Sequence, residues 1–184
     1  MNISTPLLIK PRLFKDNRGH FFEKYKQSSF KALGINEPIV QLNESKSTKG
    51  TLRGLHFQIP PYSQAKIVSV CHGEILDVVV DINPFSPTFK TWKQFNLSSE
   101  NRHSLYVPGD YAHGFLVLSD EAVVQYMCSS EYSPESERGI IWNEKEFGIE
   151  WPVQEGAPLQ FSEKDEKASS LSSLKDELKS VFRK

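Results

Sequence analysis

The sequence predicts an all-β fold, either a sandwich or a barrel. Glycine, proline, asparagine and serine recur at short intervals between Pro38 and Pro158, which is typical of short strands separated by turns. The connections between apolar runs are too short to hold crossover helices, so the strands are expected to be antiparallel. A chain of 184 residues fits one domain, which we expect to span residues 1–184.

The composition is that of an ordinary globular protein. Hydrophobic residues make up 38% of the chain, and 22 lysines and arginines nearly balance 23 aspartates and glutamates. This balance predicts neither nucleic acid nor a membrane surface as a partner. No run approaches the ~20 apolar residues of a membrane-spanning helix, and the N-terminal apolar run is short for a secretory signal, so we expect a cytoplasmic protein. Two cysteines outside any C-x-x-C spacing favour reduced thiols.

The first predicted elements are a short helix and a strand. Ser28 is a suitable N-cap and Gly34 a suitable stop for a helix over "SSFKALG". Residues 51–58, "TLRGLHFQ", alternate as in a strand and place a histidine two residues after a glycine.

The middle of the chain has the clearest strand signals. In residues 66–83, two β-branched runs flank His72 and Gly73, which we interpret as a hairpin turn with glycine supplying a positive φ. Residues 103–132 predict at least three more strands, divided at residues 108–110 and 119–120.

The C-terminal residues predict an amphipathic helix. Leu171, Leu174, Leu178 and Val181 recur at steps of three and four residues, which is the spacing of one apolar helix face. We expect this helix, over about residues 170–183, to be a peripheral appendage that packs on the barrel or on a neighbouring subunit.

His56 in "TLRGLHFQ" is open to three interpretations: a packed core residue, a metal ligand or a catalytic base. A transition-metal site needs three or four converging His, Cys or carboxylate ligands. The next residue on the same strand face is Gln58, and the next candidate after the loop is Lys66. An amide is a poor ligand and an ammonium repels a cation, so no metal site is predicted.

Proton transfer suits these residue types better. Abstraction of a proton beside a carbonyl needs a base, a partner for its cationic form and a positive group at the developing enolate oxygen. His56 is a candidate base and Lys66 a candidate partner for the oxyanion, whereas spacing alone does not select the carboxylate. On residue types alone, a packed core histidine stays open as the alternative.

A second candidate feature is an arginine followed by aromatic residues. Arg18 precedes a glycine, with Phe21 and Phe22 close behind, which suits a phosphate contact beside a surface that stacks a base. Arg53 precedes Gly54 in the same way. The alternative is a turn followed by a strand whose aromatic residues fill the core.

A series of segments forms one ordered pattern from about Leu8 to Asp165: "DNRGHFFEKY", "QLNESKSTKGTLRGLHFQ", "SQAKIVSVCHGEILDVVVDI", "SPTFKTW", "YAHGFLVLSDEA", "EYSPESERGIIWN", "GIEWP" and "LQFSEKD". In this order they closely resemble the dTDP-4-dehydrorhamnose 3,5-epimerase family. The resemblance implies a cupin-like jelly roll of two antiparallel sheets with short peripheral helices. It also implies a homodimer that binds a dTDP-4-keto-6-deoxyhexose inside the barrel, with no cofactor and no metal.

The resemblance implies specific catalytic roles. By similarity, His56 is the base that removes protons from C3 and C5 of the 4-keto sugar, and Asp165 orients it. Lys66 matches the family lysine at the C4 ketone oxygen, and Tyr132 matches the tyrosine that returns a proton on the opposite face.

The resemblance also implies binding residues. Those expected to contact the nucleotide and diphosphate are Arg18, Phe21 and Glu23. Those expected to line the pocket are Gln41, Asn43, Arg53 and His113, and some of these residues are supplied across the dimer.

The chain departs from the family pattern at three places. Gly109 and Asp110 stand in a turn where the family glycine comes one position later, Glu44 and Lys46 replace a common histidine and arginine, and Glu144-Lys145 replaces Asp-Pro. These departures leave open another nucleotide, a modified hexose, epimerisation at C3 only or a ketoisomerase. Two further alternatives are a carbohydrate-binding jelly roll without turnover and a metal-dependent cupin enzyme.

Overall fold

Within residues 3–153 and 158–182, which the computed structural model describes, the chain forms two five-stranded antiparallel sheets and one small hairpin. In spatial order, sheet I contains β1 (Leu7–Ile9), β9 (Ser104–Val107), β6 (Lys66–His72), β11 (Glu121–Cys128) and β4 (Gln41–Thr48). Sheet II contains β12 (Glu137–Gly139), β5 (Leu52–Gln58), β10 (Tyr111–Val117), β7 (Glu74–Asp81) and β8 (Trp92–Ser98). The hairpin pairs β2 (Phe14–Asp16) with β3 (Gly19–Phe21). The predicted all-β jelly-roll architecture is confirmed.

The chain changes sheet at most of its turns, and this corrects one prediction. Gly73 has the expected positive φ, of 77°, but β6 and β7 do not form a hairpin, because β6 lies in sheet I and β7 in sheet II. The turns at residues 108–110 and 119–120 also join strands of different sheets. Hydrophobic patterning identifies a strand but not its partner, so the turn at Gly73 does not show whether β6 and β7 pair with each other.

The core has three layers. Apolar residues of both sheets meet between them, including Val68, Val79, Leu105 and Val124. Helix α1 (Gln27–Ala32) contributes Phe30 to a cluster on the outer face of sheet I. On the outer face of sheet II, α3 (Leu171–Val181) packs its leucines against residues of β5, β7 and β10. Helices α1 and α3 therefore pack on the outer faces of the two sheets and not between them.

The helices agree in place with the sequence prediction but differ at their ends. Helix α1 begins at Gln27, so Ser28 lies inside it and the predicted N-cap is wrong; Lys26 holds that position and makes no side-chain cap hydrogen bond. The ring of Phe30 packs 4.8 Å from that of Tyr25, which anchors this short helix without a cap. Helix α3 lies within the predicted range of 170–183, and residue 183 falls outside the described residues.

A third helix, α2 (Glu163–Glu166), was not predicted. Ser162 caps it by accepting a hydrogen bond from the backbone N–H of Asp165. None of the helices in the described part of the chain is long and apolar enough to cross a membrane.

Candidate active site

A cavity of about 420 Å³ opens between the two sheets, a volume within the range of small-ligand sites. Sheet II supplies the side chains on one wall and sheet I supplies those facing them, while the loop after β11 closes one side. The lining residues are Gln41, Asn43, Arg53, His56, Gln64, Lys66, His113, Phe115, Tyr126, Tyr132 and Glu137.

Two histidines stand side by side on the sheet II wall. His56 of β5 and His113 of β10 are directly paired across the antiparallel ladder, so their side chains share one face. The strands approach closely here because Gly54 has no side chain: a Cβ on it would lie 2.5 Å from the Cα of Gly114. With a φ of 116°, Gly54 also has a backbone conformation that favours glycine. Gly54, two residues before His56, therefore allows β5 and β10 to pack closely and form this wall of the cavity.

His56 is held by a buried carboxylate. Its Nε2 lies 2.5 Å from Oδ1 of Asp165, whose side chain is 3% exposed, and Ser162 Oγ donates to the second oxygen at 2.8 Å. Burial opposes ionisation of Asp165, but hydrogen bonds from His56 and Ser162 and the charge of His56 outweigh it and hold the pKa of Asp165 below its ordinary value. With Nε2 donating to this carboxylate, Nδ1 of His56 is the nitrogen that can accept a proton.

His113 has a carboxylate partner of its own. Its Nε2 lies 2.8 Å from Oδ2 of Asp77, and Asp77 is fully buried in β7. Burial raises the pKa of Asp77, and the nearby charges of His113 and Lys66 oppose that rise. The second oxygen of Asp77 has no hydrogen-bond partner among the described residues.

Lys66 enters the cavity from sheet I, opposite the two histidines. Burial lowers the pKa of Lys66, whereas the charges of Cys128, Asp77 and Glu137 raise it and partly offset the burial. A partly buried ammonium with acidic groups nearby is suited to meet negative charge that develops on a ligand oxygen.

Tyr132 lies on the loop after β11, and its backbone is fixed from two sides. Its N–H donates to Oε1 of Gln41 at 2.9 Å, and Gln58 accepts from the N–H of Ser133 and donates to the carbonyl of Glu131. The phenol donates to Oε2 of Glu137 at 2.5 Å, and this hydrogen bond is the main reason that the pKa of Tyr132 is raised. Gln58, excluded above as a metal ligand, therefore helps to hold a candidate acid at the cavity.

The cavity holds a candidate base, a phenol and a lysine ammonium. The comparisons with known proteins agree with this set of groups. A family model described as dTDP-4-dehydrorhamnose 3,5-epimerase matches residues 1–173. The chain belongs to the dTDP-4-dehydrorhamnose 3,5-epimerase family. A relative of that name from Shigella flexneri is 51% identical over 89% of this chain and 89% of its own length.

Solved structures of the epimerase family superpose closely on the chain. One is a dTDP-6-deoxy-D-glucose-3,5-epimerase from Legionella pneumophila in complex with dTDP-4-keto-L-rhamnose, with a TM-score of 0.90 and 41% identity, covering 97% of this chain and 95% of that one. Another is a 3'-monoepimerase from Streptomyces bikiniensis in complex with dTDP-quinovose, with a TM-score of 0.86 and 30% identity over 98% of each chain. Both confirm the epimerase family predicted from the sequence.

The structure brings together most of the residues singled out in the sequence. His56, Lys66 and Tyr132 line the cavity, and Asp165 contacts His56 from behind. Four of the expected binding residues also line it: Gln41, Asn43, Arg53 and His113.

Three expected binding residues do not reach the cavity within the described chain. Arg18 pairs with Asp16 at 2.6 Å, and its side chain is 84% exposed. Phe21 is 66% exposed on the β2–β3 hairpin, and Glu23 pairs with Lys26 at 3.5 Å. None of the three lines the cavity.

Sequence reasoning missed several residues of this site. Gln64, Phe115 and Tyr126 line the cavity, but nothing in their sequence context distinguishes them from ordinary strand and loop residues. Asp77 carries a usable signal, since a carboxylate inside a β-branched run is buried only with a partner. The position of Glu137 at the cavity depends on the pairing of β12 with β5, which its local sequence does not indicate.

The departures from the family pattern lie away from the reacting groups. Gly109 and Asp110 border a separate surface depression beside Ser63 and do not line the cavity. Lys46 pairs with Glu121 at 2.7 Å on sheet I, and Glu144 accepts a hydrogen bond from the backbone N–H of Leu171 at the start of α3. No cluster of three His, Cys, Asp or Glu side chains suited to a metal occurs in residues 3–153 and 158–182.

Proposed function

We propose that the protein inverts C3 and C5 of dTDP-4-dehydro-6-deoxy-D-glucose to give dTDP-4-dehydro-L-rhamnose. The observation that carries this proposal is the cavity in which a carboxylate-backed histidine, a phenol and a partly buried ammonium converge. The family relatives of that name support the substrate. The reaction moves protons and changes no oxidation state, so the proposal includes no cofactor and no metal.

The mechanism follows from the roles that each group can fill. Nδ1 of His56 takes the proton from a carbon beside the C4 ketone, and the Asp165 carboxylate stabilises the imidazolium that forms. The electron pair moves to the ketone oxygen, where the Lys66 ammonium stabilises the enolate. A phenol of the cavity then donates a proton to the opposite face of the carbon and the ketone re-forms. The two candidates are Tyr132, on the loop after β11, and the partly buried Tyr126 of β11. C3 and C5 both adjoin C4, so one set of groups can serve both centres.

We further propose that the protein acts as a homodimer in which the β2–β3 hairpin of one subunit completes the cavity of the other. Arg18 and Phe21 point to solvent in a single chain, although their residue types suit a diphosphate and a nucleobase. Exposed apolar residues, Phe14 on the hairpin and Leu42 on the edge strand β4, favour burial against a second copy. The cytoplasmic location stays a prediction.

A second candidate function is epimerisation at C3 only. The close superposition of a solved 3'-monoepimerase supports this candidate, because it shows the same fold in an enzyme that acts at one carbon. The same cavity groups would act, with only one carbon placed within reach of His56.

Incubation with dTDP-4-dehydro-6-deoxy-D-glucose in D₂O tests the proposal. We expect deuterium at C3 and C5 of an L-configured product, and loss of labelling at both positions in His56→Asn. Labelling at C3 alone would identify the monoepimerase. Tight binding without labelling would overturn the enzymatic proposal and favour a binding protein.

A further inference from the structure

The stretch of chain that carries Asp165 is anchored to the backbone on both sides of α2. Before α2, the N–H of Leu52 in β5 donates to the carbonyl of Gln160 at 2.9 Å. After α2, the N–H of Ile141 donates to the carbonyl of Ser169, also at 2.9 Å. We call the residues between these two anchors the Asp165 segment.

The second anchor lies next to the ladder partner of His56. Gly139 pairs with His56 in the β12–β5 ladder, and the N–H of Ser169 donates to the carbonyl of Gly139 at 3.2 Å. Beside this pair, the backbones of Leu55 and Ile140 exchange two hydrogen bonds, at 3.1 and 2.9 Å. A shift of the chain at Ser169 would therefore change the contact between the base and its carboxylate.

Helix α3 follows this anchor directly, and two acidic side chains fix it to β12 and to the loop after β12. Oε2 of Glu144 accepts a hydrogen bond from the N–H of Leu171, the first residue of α3, at 2.7 Å. Further along α3, Glu177 accepts from Nε of Arg138 at 3.0 Å and from its Nη2 at 2.5 Å. A forked pair of this kind fixes orientation as well as distance.

Arg138 also binds the loop that precedes β12. Its Nη1 donates to the carbonyls of Glu135 and Glu137, both at 2.8 Å. The side chain of Arg138 is not part of the cavity lining. One guanidinium therefore joins the loop, β12 and α3 on the side of β12 that faces away from the cavity.

The two acidic side chains depart from the family pattern. Glu144 stands at one of the three departures noted in the sequence, and Glu177 lies beyond residue 173, where the match to the family model ends. Neither side chain lines the cavity. The helix that they fix is well packed, since Leu171 and Leu178 are 2% and 0% exposed.

We propose that α3 is a positioning clamp, which holds Asp165 against Nε2 of His56 through the Asp165 segment. Glu144 and the Arg138–Glu177 pair are the contacts that fix the clamp. The inference rests on the proposed function, in which the carboxylate stabilises the imidazolium. Displacing a catalytic group by about 1 Å can cost about 100-fold in rate. Because neither glutamate touches the cavity, loosening the clamp should lower kcat and leave KM unchanged.

The experiment measures kcat and KM for Glu144→Ala, Glu177→Ala and the double variant with dTDP-4-dehydro-6-deoxy-D-glucose. We expect kcat to fall by about 2- to 5-fold in each single variant and by about 5- to 20-fold in the double variant, at unchanged KM. Glu144→Gln should be close to wild type, because its amide oxygen can still accept from the N–H of Leu171. Glu146→Ala is the matched control, since Glu146 lies on the same loop but pairs with Lys90, and it should behave as wild type.

A double-mutant cycle separates positioning from a general loss of stability. In an Asp165→Asn background, the double variant should cause no further fall in kcat, because the charge that the clamp positions is already gone. Circular dichroism checks that each variant is folded, and the single variants carry the cycle if the double variant is not. An equal fall in both backgrounds, or a wild-type kcat in the folded double variant, would overturn the inference.

A second measurement reports the contact without turnover. The Nε2–H proton of His56, in a hydrogen bond of 2.5 Å to Asp165, should give a downfield proton resonance that Asp165→Asn removes. We expect this resonance to move upfield or broaden in the double variant, and an unchanged resonance would contradict the clamp. If the wild-type protein gives the resonance but incorporates no deuterium, the proposed function fails while the resonance still tests the clamp.

Discussion

Replacing Asp165 with asparagine removes the negative charge behind His56 while preserving the shape of the side chain. Asp165 is buried, and its Oδ1 lies 2.5 Å from Nε2 of the imidazole. The carboxylate stabilises the imidazolium only after His56 has taken a proton, so its loss raises the barrier to proton abstraction.

The size of the effect follows from this one contact. A hydrogen bond to a charged group contributes about 1.5–3 kcal/mol. At about 1.36 kcal/mol per tenfold in rate, that loss corresponds to a roughly 10- to 150-fold fall in kcat/KM. Ser162 stabilises the imidazolium only through Asp165, so removing its hydroxyl with Ser162→Ala should have a smaller effect on the rate, about 0.5–1.5 kcal/mol or roughly 2- to 10-fold.

The assay is deuterium incorporation into dTDP-4-dehydro-6-deoxy-D-glucose, followed at C3 and C5 together with inversion. Because Asp165 acts through the base, Asp165→Asn should lower exchange and inversion in equal proportion. Asp176→Asn, on the exposed face of α3, is the matched control and should leave both rates unchanged. A fall smaller than that of Ser162→Ala, or a change in the ratio of inversion to exchange, would refute the reasoning.

Three further predictions concern the oxyanion, the strand contact and acid stability. Lys66→Met should lower kcat/KM for exchange by about 10²–10³-fold with little change in nucleotide-sugar affinity, measured by titration calorimetry. Gly54→Ala should prevent folding, because its Cβ would meet backbone at 2.5 Å, whereas Gly148→Ala, with nothing within 4 Å, should cost only about 1–2 kcal/mol in urea unfolding. The lowered pKa values of Asp165 and Glu137 contribute stability that is present above their unfolded pKa values of 3.8 and 4.5 and is lost as the pH falls through the folded values. Urea unfolding from about pH 6 to about pH 3 should therefore show a shallower loss in Asp165→Asn than in wild type.

Local patterns predicted the elements of this fold but not how they pair. The β-branched runs at β6 and β7 and the leucine spacing of α3 are visible in the sequence because each depends on residues close together. The assignment of β6 and β7 to different sheets depends on which distant strand each one meets, and the turn at Gly73 does not encode that choice.

The same contrast between local sequence signals and long-range contacts applies to the candidate active site. Residue types alone made His56 and Lys66 a candidate base and oxyanion partner. They did not select Asp165, because the contact with His56 joins residues 109 positions apart. The family resemblance named Asp165 and Tyr132, and it also named Arg18 and Phe21, which reach no cavity within one chain.

Glu137 shows why the remaining part of the site was not predictable. A shift of one residue in the β12–β5 register would turn Glu137 outward and bring Arg138 to the cavity face. The observed register is supported from the other side, because Arg138 points outward and forms a paired hydrogen bond with Glu177 of α3. The C-terminal helix, which the sequence suggested only as a peripheral appendage, thereby helps to hold Glu137 beside Tyr132. A carboxylate positioned by such tertiary contacts carries no local signature, and its place at the cavity follows only from the assembled sheet.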